Sequence, residues 1–295
     1  MQTLQILNRK IETAHDLLGV VKTMKSLAAV NMRQFERSVE SLDQYKAVVD
    51  MGWTILLRYG QPVPLKGRGE TAVCLIIGSD QGMCGQFNEV LWPFAHEQVQ
   101  VLKGQGLAVT YWSMGEKING ALQDAGFEIG EHISAPGSLN AVNAQVQEVI
   151  RKIESRQSTK KPARVYLCYN RVSDQGGYTQ VLEKVLPLDK AWAGEYTSRK
   201  WPNRCLPMMG LPRDVMFTYL FSQYLFVSFY RAMAQSLAAE NAARLMAMQA
   251  AEKNILELEE ELQALFREQR QTGITSELLD IISGFEALSD EDMSV

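Results

Sequence analysis

Proline is absent from the C-terminal part of the chain: none occurs between Arg213 and Leu288. Because proline usually ends or kinks a helix, its absence permits a single helix over this whole stretch. Such a helix would be about 114 Å long, whereas a compact chain of this size is roughly 50 Å across. The sequence therefore predicts a helix that its own globular part cannot enclose and that another protein must partly cover.

Residues suited to metal binding and nucleophilic catalysis are scarce. The chain has three histidines, which are isolated, and four cysteines without CxxC spacing. This pattern argues against a metal cluster, a redox switch and a catalytic triad, and it predicts buried thiols in a reducing compartment. We therefore expect neither a metal nor a cofactor. The cysteines are Cys74, Cys84, Cys168 and Cys205.

The chain also lacks an excess of positive charge and long apolar runs. Its 30 basic and 34 acidic residues give a formal net charge of −4, which predicts no nucleic-acid partner. No apolar run reaches the roughly eighteen residues of a membrane-spanning helix, and the N-terminus lacks a signal-peptide pattern. Any association with a membrane is therefore expected to go through partner proteins.

The N-terminal region, which we assign to residues 1–60, carries a heptad repeat from Leu4 to Leu56. Its two seam positions are apolar throughout except at Lys25 and Lys46. Such a repeat predicts a coiled-coil seam, and the alternative is a long amphipathic helix that lies on its own domain. The seam positions are Leu4, Ile11, Leu18, Lys25, Met32, Val39, Lys46 and Trp53, and Leu7, Ala14, Val21, Ala28, Phe35, Leu42, Val49 and Leu56.

A patchier apolar stripe follows in the C-terminal region, which we assign to residues 213–295. The stripe gives way to a polar band from Arg267 to Glu277, after which apolar residues return. Gly273 inside this band is either tolerated in the helix, at a cost of about 1 kcal/mol, or marks a break. The stripe consists of Met248, Ala251, Ile255, Leu258, Leu262 and Leu265, and the returning residues include Ile274, Leu278, Leu279, Ile281, Ile282 and Phe285.

The middle of the chain, residues 61–212, alternates short β-rich runs with helical stretches. This alternation predicts a Rossmann-like α/β domain with a doubly wound, mainly parallel sheet. The predicted strands are Thr71–Ile77, Ala108–Trp112, Arg164–Tyr169 and Gln180–Leu186, and the predicted helices are Asn88–Leu102, Glu116–Ala125 and Leu139–Ser155.

One loop, from Gly78 to Asn88, lies where α/β proteins bind phosphates. It contains neither GxGxxG nor the phosphate-loop motif, so a structural role is favoured, with glycines that supply turns and Asn88 as the N-cap of the next helix. A nucleophilic Cys84 would need a base, and no residue near it in the sequence provides one. The candidate residues of this loop are Ser79, Asp80, Gly82, Cys84, Gly85 and Asn88.

Segments in three parts of the chain resemble the γ subunit of F-type rotary ATP synthases. The loop Ser79-Asp80-Gln81-Gly82-Met83-Cys84-Gly85-Gln86-Phe87-Asn88 is similar to the family's Ser-Asp-Arg-Gly-Leu-Cys-Gly-Gly-Phe-Asn. Near the N-terminus the similarity runs through Lys22, Met24, Ala28 and Ala29. Near the C-terminus it covers Ala242–Met248 and Arg270–Gly284.

The resemblance implies a central-stalk rotor whose terminal helices form an antiparallel coiled coil inside a ring of α and β subunits. Its α/β domain would contact the ε subunit and the membrane c-ring, and the chain itself would carry no catalytic site. The expected location is the cytoplasmic face of a bacterial inner membrane. The resemblance places stator contacts at Lys22, Met24, Lys25, Arg270, Gln271, Thr275 and Glu277, and helix pairing at Arg244, Met248, Ile255 and Leu262.

The sequence also departs from the family pattern, for example at Leu17-Leu18-Gly19 and Thr23, which suggests a divergent branch such as a sodium-linked bacterial form. Two other hypotheses stay open. A structural coiled-coil adapter would use the same heptads without needing the polar band. A free α/β enzyme would use the Gly78–Asn88 loop as its active site, although the loop lacks a base, a metal set and a phosphate-binding motif.

Overall fold

The computed structural model describes residues 2–58, 70–159, 164–173, 177–201, 205 and 207–292. It contains two compact units, of which one is formed by residues 28–246 and the other by residues 1–27 and 247–295. The elements in chain order are α1 (Gln2–Arg58), β1 (Thr71–Ile77), α2 (Phe87–Gly104), β2 (Ala108–Met114), α3 (Glu116–Asp124), β3 (Ile129–Ile133), α4 (Leu139–Thr159), β4 (Arg164–Val172), β5 (Tyr178–Leu186), α5 (Lys190–Ser198) and α6 (Arg213–Asp292).

Helix α6 begins directly after Pro212, whose carbonyl accepts a hydrogen bond from the backbone N–H of Met216 at 2.9 Å. Proline fits this position because the N–H groups of a first helical turn have no partner within the helix. Gly273 lies inside α6, so the alternative of a break at this glycine is wrong. In the part of the chain that the structure describes, no helix is both long and apolar enough to cross a membrane.

A five-stranded sheet with the order β3-β2-β1-β4-β5 forms the centre of the unit of residues 28–246. The first four of these strands are parallel to their neighbours, and β5 runs antiparallel to β4. The chain adds β2 and β3 on one side of β1 and then returns to place β4 on the other side. This reversal makes the sheet doubly wound, and the predicted fold class is confirmed.

Strand β1 is covered on both faces because successive side chains of a strand point in opposite directions. Val73, Leu75 and Ile77 belong to a hydrophobic cluster with α4 and with residues of α1 and α6. Cys74 and Ile76 belong to a second cluster with α2 and α3. Burial on both faces explains why the sequence of β1 is continuously apolar rather than alternating.

The heptad repeat of α1 agrees with its packing, since every seam position from Leu4 to Leu56 is buried or half-buried. Within residues 28–246, the hydroxyl groups of Ser38 on α1 and Tyr230 on α6 lie 2.9 Å apart. Tyr45 donates a hydrogen bond to Gln223 at 2.6 Å. Residue numbers thus rise along α1 as they fall along α6, and the two helices pair antiparallel.

The same antiparallel pairing occurs in the unit of residues 1–27 and 247–295. Lys25 Nζ lies 2.5 Å from a carboxylate oxygen of Glu252, and His15 Nδ1 lies 4.0 Å from one of Glu259. The buried apolar residues described in this unit are Ala14, Leu18, Met248 and Leu262.

The buried face of α6 in this unit departs from the predicted stripe. Leu258 and Leu265 are 47% and 48% exposed, whereas Glu259 and Phe266 are half-buried. Successive residues of the predicted stripe are separated by fewer than 3.6 positions on average, which is less than one turn of a straight helix. The later residues of the stripe therefore rotate away from the buried face. The two leucines were therefore assigned to the seam wrongly.

Two elements were missed in the sequence. Strand β3 is short, and its centre contains Gly130, Glu131 and His132, so it has no apolar run that would indicate a strand. Helix α5 is the second element that the sequence analysis does not predict. It begins after Asp189, whose carboxylate accepts a hydrogen bond from the backbone N–H of Trp192 at 2.9 Å.

Candidate functional site

Hydrogen bonds among its own side chains close the Gly78–Asn88 loop. Asn88 accepts from the backbone N–H of Ser79 at 3.1 Å and donates to the Ser79 hydroxyl at 2.8 Å. The sulfur of Cys84 lies 3.7 Å from the same hydroxyl. Asn88 therefore joins the two ends of the loop, and its prediction as the N-cap of α2 is wrong because α2 already begins at Phe87.

Asp80 connects this loop to the ends of two neighbouring strands. Its carboxylate accepts hydrogen bonds from the backbone N–H groups of Glu116 at 2.9 Å and Ala135 at 3.1 Å. These donors follow β2 and β3, so one side chain links the carboxyl ends of three parallel strands. Bonds to a charged acceptor are roughly twice as strong as neutral ones. Asp80 is thus engaged in holding the fold together.

The backbone of the loop requires glycine at two positions. Gly85 has a φ of 59°, in the left-handed region that favours glycine. A Cβ atom on Gly78 would lie 2.4 Å from Cβ of Ile118, which leaves no room for a side chain. The other residue of the loop with a positive φ is Met83, at 61°. Gly82 lies outside this region, and its φ does not require glycine.

Helix α6 occupies the place where doubly wound sheets usually bind a ligand. That place is the crevice at the carboxyl ends of the strands where the strand order reverses, here between β1 and β4. Ser236 of α6 donates a hydrogen bond to the carbonyl of Ile77, the last residue of β1, at 3.1 Å. Small side chains of α6 pack directly on the loop in a cluster of Cys84, Phe87, Ala239 and Ala243.

Glu240 and Arg244 of α6 form a buried ion pair beside this cluster. Nη2 of Arg244 donates to Glu240 at 2.6 Å, and the residues are 7% and 9% exposed. Burial raises the pKa of Glu240, Arg244 opposes this shift, and the negative charge of Asp80 adds to it. Arg244, which was expected in pairing between helices, is thus bound to a residue of its own helix.

The thiol of Cys84 is poorly suited to be a nucleophile. Burial raises its pKa, and the negative charge of Glu240 raises it further, so the thiol stays protonated at neutral pH. Cys74 and Cys168 are also buried, but Cys205 is exposed, which corrects the expectation of four buried thiols. Within the described ranges, no group of three or more His, Cys, Asp or Glu side chains is placed to hold a metal ion.

Lys25 has a carboxylate partner within its own chain. Its ion pair with Glu252 is partly buried, since the two side chains are 33% and 19% exposed. A lysine in a seam is costly unless its charge is compensated, and Glu252 compensates it here. The other two residues predicted nearby as stator contacts differ in exposure: Met24 is half-buried and Lys22 is exposed.

The polar band from Arg267 to Glu277 is on the surface of α6. Its four predicted contact residues, Arg270, Gln271, Thr275 and Glu277, are all exposed. Large apolar side chains in and after the band are between 50% and 67% exposed, namely Ile274, Leu278, Leu279, Ile281 and Ile282. Such an apolar surface is typical of a site that contacts another protein. The side chain of Phe285 lies outside the described residues.

A family model described as ATP synthase matches residues 3–288. The chain belongs to this family. Among its ATP synthase relatives, the gamma chain of Syntrophobacter fumaroxidans is 26% identical over 295 residues, which cover 98% of this chain and 99% of the relative. The gamma chain of Histophilus somni is 28% identical over 286 residues, which cover 95% and 97%.

Solved ATP synthase structures have the same fold. In the Euglena gracilis mitochondrial ATP synthase, a chain of the OSCP/F1/c-ring structure in rotational state 3 matches with a TM-score of 0.65 at 19% identity, covering 97% of this chain and 95% of that one. A chain of the rotor of that synthase in rotational state 1 matches with a TM-score of 0.61 at 18% identity, covering 92% and 99%.

Proposed function

We propose that this chain is the central-stalk γ subunit of a rotary ATP synthase and couples ion flow through a membrane c-ring to ATP synthesis or hydrolysis in a ring of α and β subunits. The observation that carries this proposal is the extent of the family match, residues 3–288 of the 295-residue chain. Relatives named ATP synthase gamma chain align over 95% or more of this chain. An adapter that shared only the heptads would not be expected to match over this length.

The proposed mechanism is mechanical. A rotating asymmetric shaft makes different contacts with each β subunit in turn, and it thereby favours one of the conformations that the subunit already samples. The residues Lys22, Arg270, Gln271, Thr275 and Glu277 are suited to such contacts, because they are polar and exposed and are therefore accessible to another subunit. Met24 and Lys25 are included in this surface, although Lys25 also serves the pairing of α1 with α6.

We also propose which parts of the chain form the shaft and which part contacts the other subunits. Residues 1–60 and 213–295 would supply the shaft, with Arg244, Met248, Ile255 and Leu262 on its inner side, and residues 61–212 would contact the ε subunit and the c-ring. Residues 28–58 and 213–246 belong to the same compact unit as the sheet. Torque applied to the helices would therefore reach the sheet through a packed core.

The contacts of the Gly78–Asn88 loop, which the sequence offered as a candidate active site, support a non-catalytic role. Asp80 is engaged by two backbone donors, Cys84 is kept protonated by burial, and α6 fills the crevice beside β1. We therefore regard the free α/β enzyme as the weaker hypothesis.

The proposed location is the cytoplasmic face of a bacterial inner membrane, reached through the c-ring. The relatives support a bacterial assignment, since both gamma chains compared above come from bacteria. The ion that the complex moves is determined by its membrane subunits, so the sodium-linked form stays a prediction.

The test is co-expression of the tagged chain with the α, β and ε subunits from the same organism. We expect a stable complex with Mg-ATPase activity, and no turnover from the chain alone. Hydrolase or transferase turnover of the isolated chain that is lost in Asp80→Asn and Cys84→Ser variants would contradict the proposal and support the enzyme hypothesis.

A further inference from the structure

A series of hydrogen-bonded side chains crosses the carboxyl ends of β2 and β3, within the unit of residues 28–246. The hydroxyl of Ser113 on β2 donates to the side-chain carbonyl of Asn119 on α3 at 2.8 Å. The same hydroxyl oxygen lies 3.0 Å from Nδ1 of His132 on β3, and Nε2 of His132 lies 3.0 Å from a carboxylate oxygen of Glu116 at the start of α3. The ring of His132 thus joins two strands to a helix.

These contacts determine where the protons of His132 are. Ser113 has one hydroxyl proton and donates it to Asn119, so its oxygen can only accept from an Nδ1–H group of His132. A carboxylate has no proton to donate, so Glu116 can only accept from an Nε2–H group. The complete arrangement therefore requires a proton on both ring nitrogens, which is the imidazolium cation.

Loss of one proton leaves one contact of the ring without a donor. If the remaining proton were on Nε2, Ser113 would have to serve both Asn119 and Nδ1 with a single proton, and Ser113 is fully buried, so water cannot replace the lost bond. The side chain of Glu116 is 63% exposed, and water can take the place of His132 there. A neutral His132 should therefore keep its proton on Nδ1, retain Ser113 and release Glu116.

The release of Glu116 would be local, because its backbone is held separately. Its N–H group donates to the carboxylate of Asp80 at 2.9 Å, and this carboxylate stays charged over the pH range in which histidine titrates. In the part of the chain that the structure describes, Glu116 is the charged residue that contacts the ring of His132. The titratable side chains on this side of the sheet include Glu116 and Lys117 of α3, Asp80 of the loop, Tyr111 of β2 and His96 of α2.

We propose that His132 is a pH-sensitive link that fastens the first turn of α3 to the sheet. Histidine changes its charge between about pH 5 and 8. At the lower end of this range the imidazolium holds Ser113 and Glu116 together. As the pH rises, the bond to Glu116 opens while the bond to Ser113 remains, so the stabilisation of this turn is present at acid pH and is lost at alkaline pH. This link does not depend on the proposed function.

NMR of the ring nitrogens in the ¹⁵N-labelled full chain tests the proton positions. The chain has three histidines, so comparison with a His132→Gln variant identifies the signals of His132. We expect protons on both ring nitrogens at about pH 5.5 and on Nδ1 alone at about pH 8.5. A neutral ring with its proton on Nε2 would overturn the proposal. It would correspond to a rotated Asn119 amide that donates to Ser113, which satisfies every contact without a charge.

Hydrogen exchange in the first turn of α3 tests the consequence. The backbone N–H groups of Glu116 and Lys117 donate to the loop before α2, and that of Asn119 donates within the turn. Corrected for the intrinsic pH dependence of exchange, their protection should fall about threefold over this pH range, a modest change because the pair of His132 and Glu116 is partly exposed.

The Glu116→Gln variant is the matched comparison. A carboxamide can accept from an imidazolium N–H or donate to a neutral ring nitrogen, so the change in protection should disappear. His96→Gln removes a histidine from α2 and should keep the change seen in the parent. Equal pH dependence in the parent and in Glu116→Gln would contradict the proposal, as would loss of the change in His96→Gln.

Discussion

Glu240 and Arg244 are charged residues held inside the fold next to the Gly78–Asn88 loop. A buried ion pair often adds little net stability, because the desolvation of both charges offsets their attraction. Removal of one partner is much more costly, since it leaves the other charge buried and unpaired. The pair therefore makes the contact between α6 and the loop sensitive to single substitutions.

Arg244→Met should lower the free energy of unfolding by about 3–5 kcal/mol at neutral pH. Burial raises the pKa of Glu240 in the folded parent, and loss of Arg244 removes the charge that opposes this shift. As the pH falls through the raised pKa of Glu240, the variant should regain stability relative to the parent, because protonation of Glu240 then removes the buried charge. Urea denaturation at several pH values measures both effects.

Lys253 and Glu257 provide the control for this prediction. They form a pair at the same spacing on the same helix, 3.7 Å apart, with side chains that are 77% and 61% exposed. Lys253→Met should change the unfolding free energy by less than about 0.5 kcal/mol at any pH. An Arg244→Met variant that behaves like Lys253→Met would show that the pair does not matter for the fold.

At the scale of single residues, the sequence predicted which positions matter better than it predicted what they do. Asn88 was recognised in a loop motif, but its partner Ser79 depends on how the loop closes. Lys25 was recognised as a seam residue, yet its partner Glu252 is more than two hundred positions away in the sequence. Local spacing does not specify such pairs, because they arise only when distant elements pack.

Helix α5 is an element whose packing depends on contacts far apart in sequence. Tyr196 donates to one carboxylate oxygen of Asp50 on α1 at 2.9 Å, and Arg199 donates to the other at 2.8 Å. The rings of Trp192 and Trp53 meet edge to face with centroids 4.9 Å apart. These contacts fasten α5 across α1, and the short sequence of α5 alone gave no sign of them.

Asp50→Asn should destabilise this contact by about 1–2 kcal/mol at neutral pH. This value is in the lower part of the range for charged hydrogen bonds, because the side chain of Arg199 is 43% exposed and solvent weakens its interaction. Burial opposes ionisation of Asp50, but hydrogen bonds from Arg199 and Lys46 outweigh it and lower the pKa. The stabilisation is thus fully present above the unfolded pKa of about 4 and is lost as the pH falls through the folded pKa. The difference between parent and variant in denaturant unfolding should shrink accordingly.

A difference that stays constant from pH 7 down to the acid limit of the folded state would contradict the ionic role of Asp50. The Tyr196→Phe variant is the matched control, because it removes one neutral donor and leaves the carboxylate and its two cations in place. Its effect should be smaller, and it should shrink less as the pH falls, because the hydrogen bonds from Arg199 and Lys46 still lower the pKa of Asp50.

The seam of α6 in the unit of residues 1–27 and 247–295 gives another prediction at this scale. Leu262→Ala should strongly reduce hydrogen-exchange protection of the surrounding amides, because Leu262 is 8% exposed and its truncation leaves a cavity. Leu258→Ala and Leu265→Ala are matched controls on the exposed side and should have little effect. Equal loss of protection in all three variants would favour the originally predicted stripe.

The polar band is expected to act in the assembly rather than in the fold. Arg270→Ala combined with Gln271→Ala should leave the stability of the chain within about 0.5 kcal/mol of the parent, since both residues are exposed. In the assembled complex, the variant should lower ATP turnover or its coupling to ion transport. Unchanged turnover and unchanged pumping would rule out the band as a contact site.

At the scale of the whole molecule, hydrophobic periodicity was sufficient for the fold class. The heptads of α1 and the apolar runs of β1, β2 and β4 identified long helices and a doubly wound sheet because each pattern repeats over many residues. The hydrogen bond from Ser236 of α6 to Ile77 at the crevice was not predictable. Neither segment contains a sequence pattern that indicates the other as its partner. That contact lies at the end of the sheet where doubly wound proteins usually bind a ligand.

Cys205 allows a direct test of whether this chain rotates within a catalytic ring. Cys205 is exposed, whereas Cys74, Cys84 and Cys168 are buried, so a maleimide label should attach to Cys205 selectively. A gold rod is bound to this label in a complex immobilised through its β subunits, and MgATP is added. We expect the rod to rotate in one direction, in steps of a third of a turn. A complex that hydrolyses ATP while the rod on Cys205 stays still would contradict it.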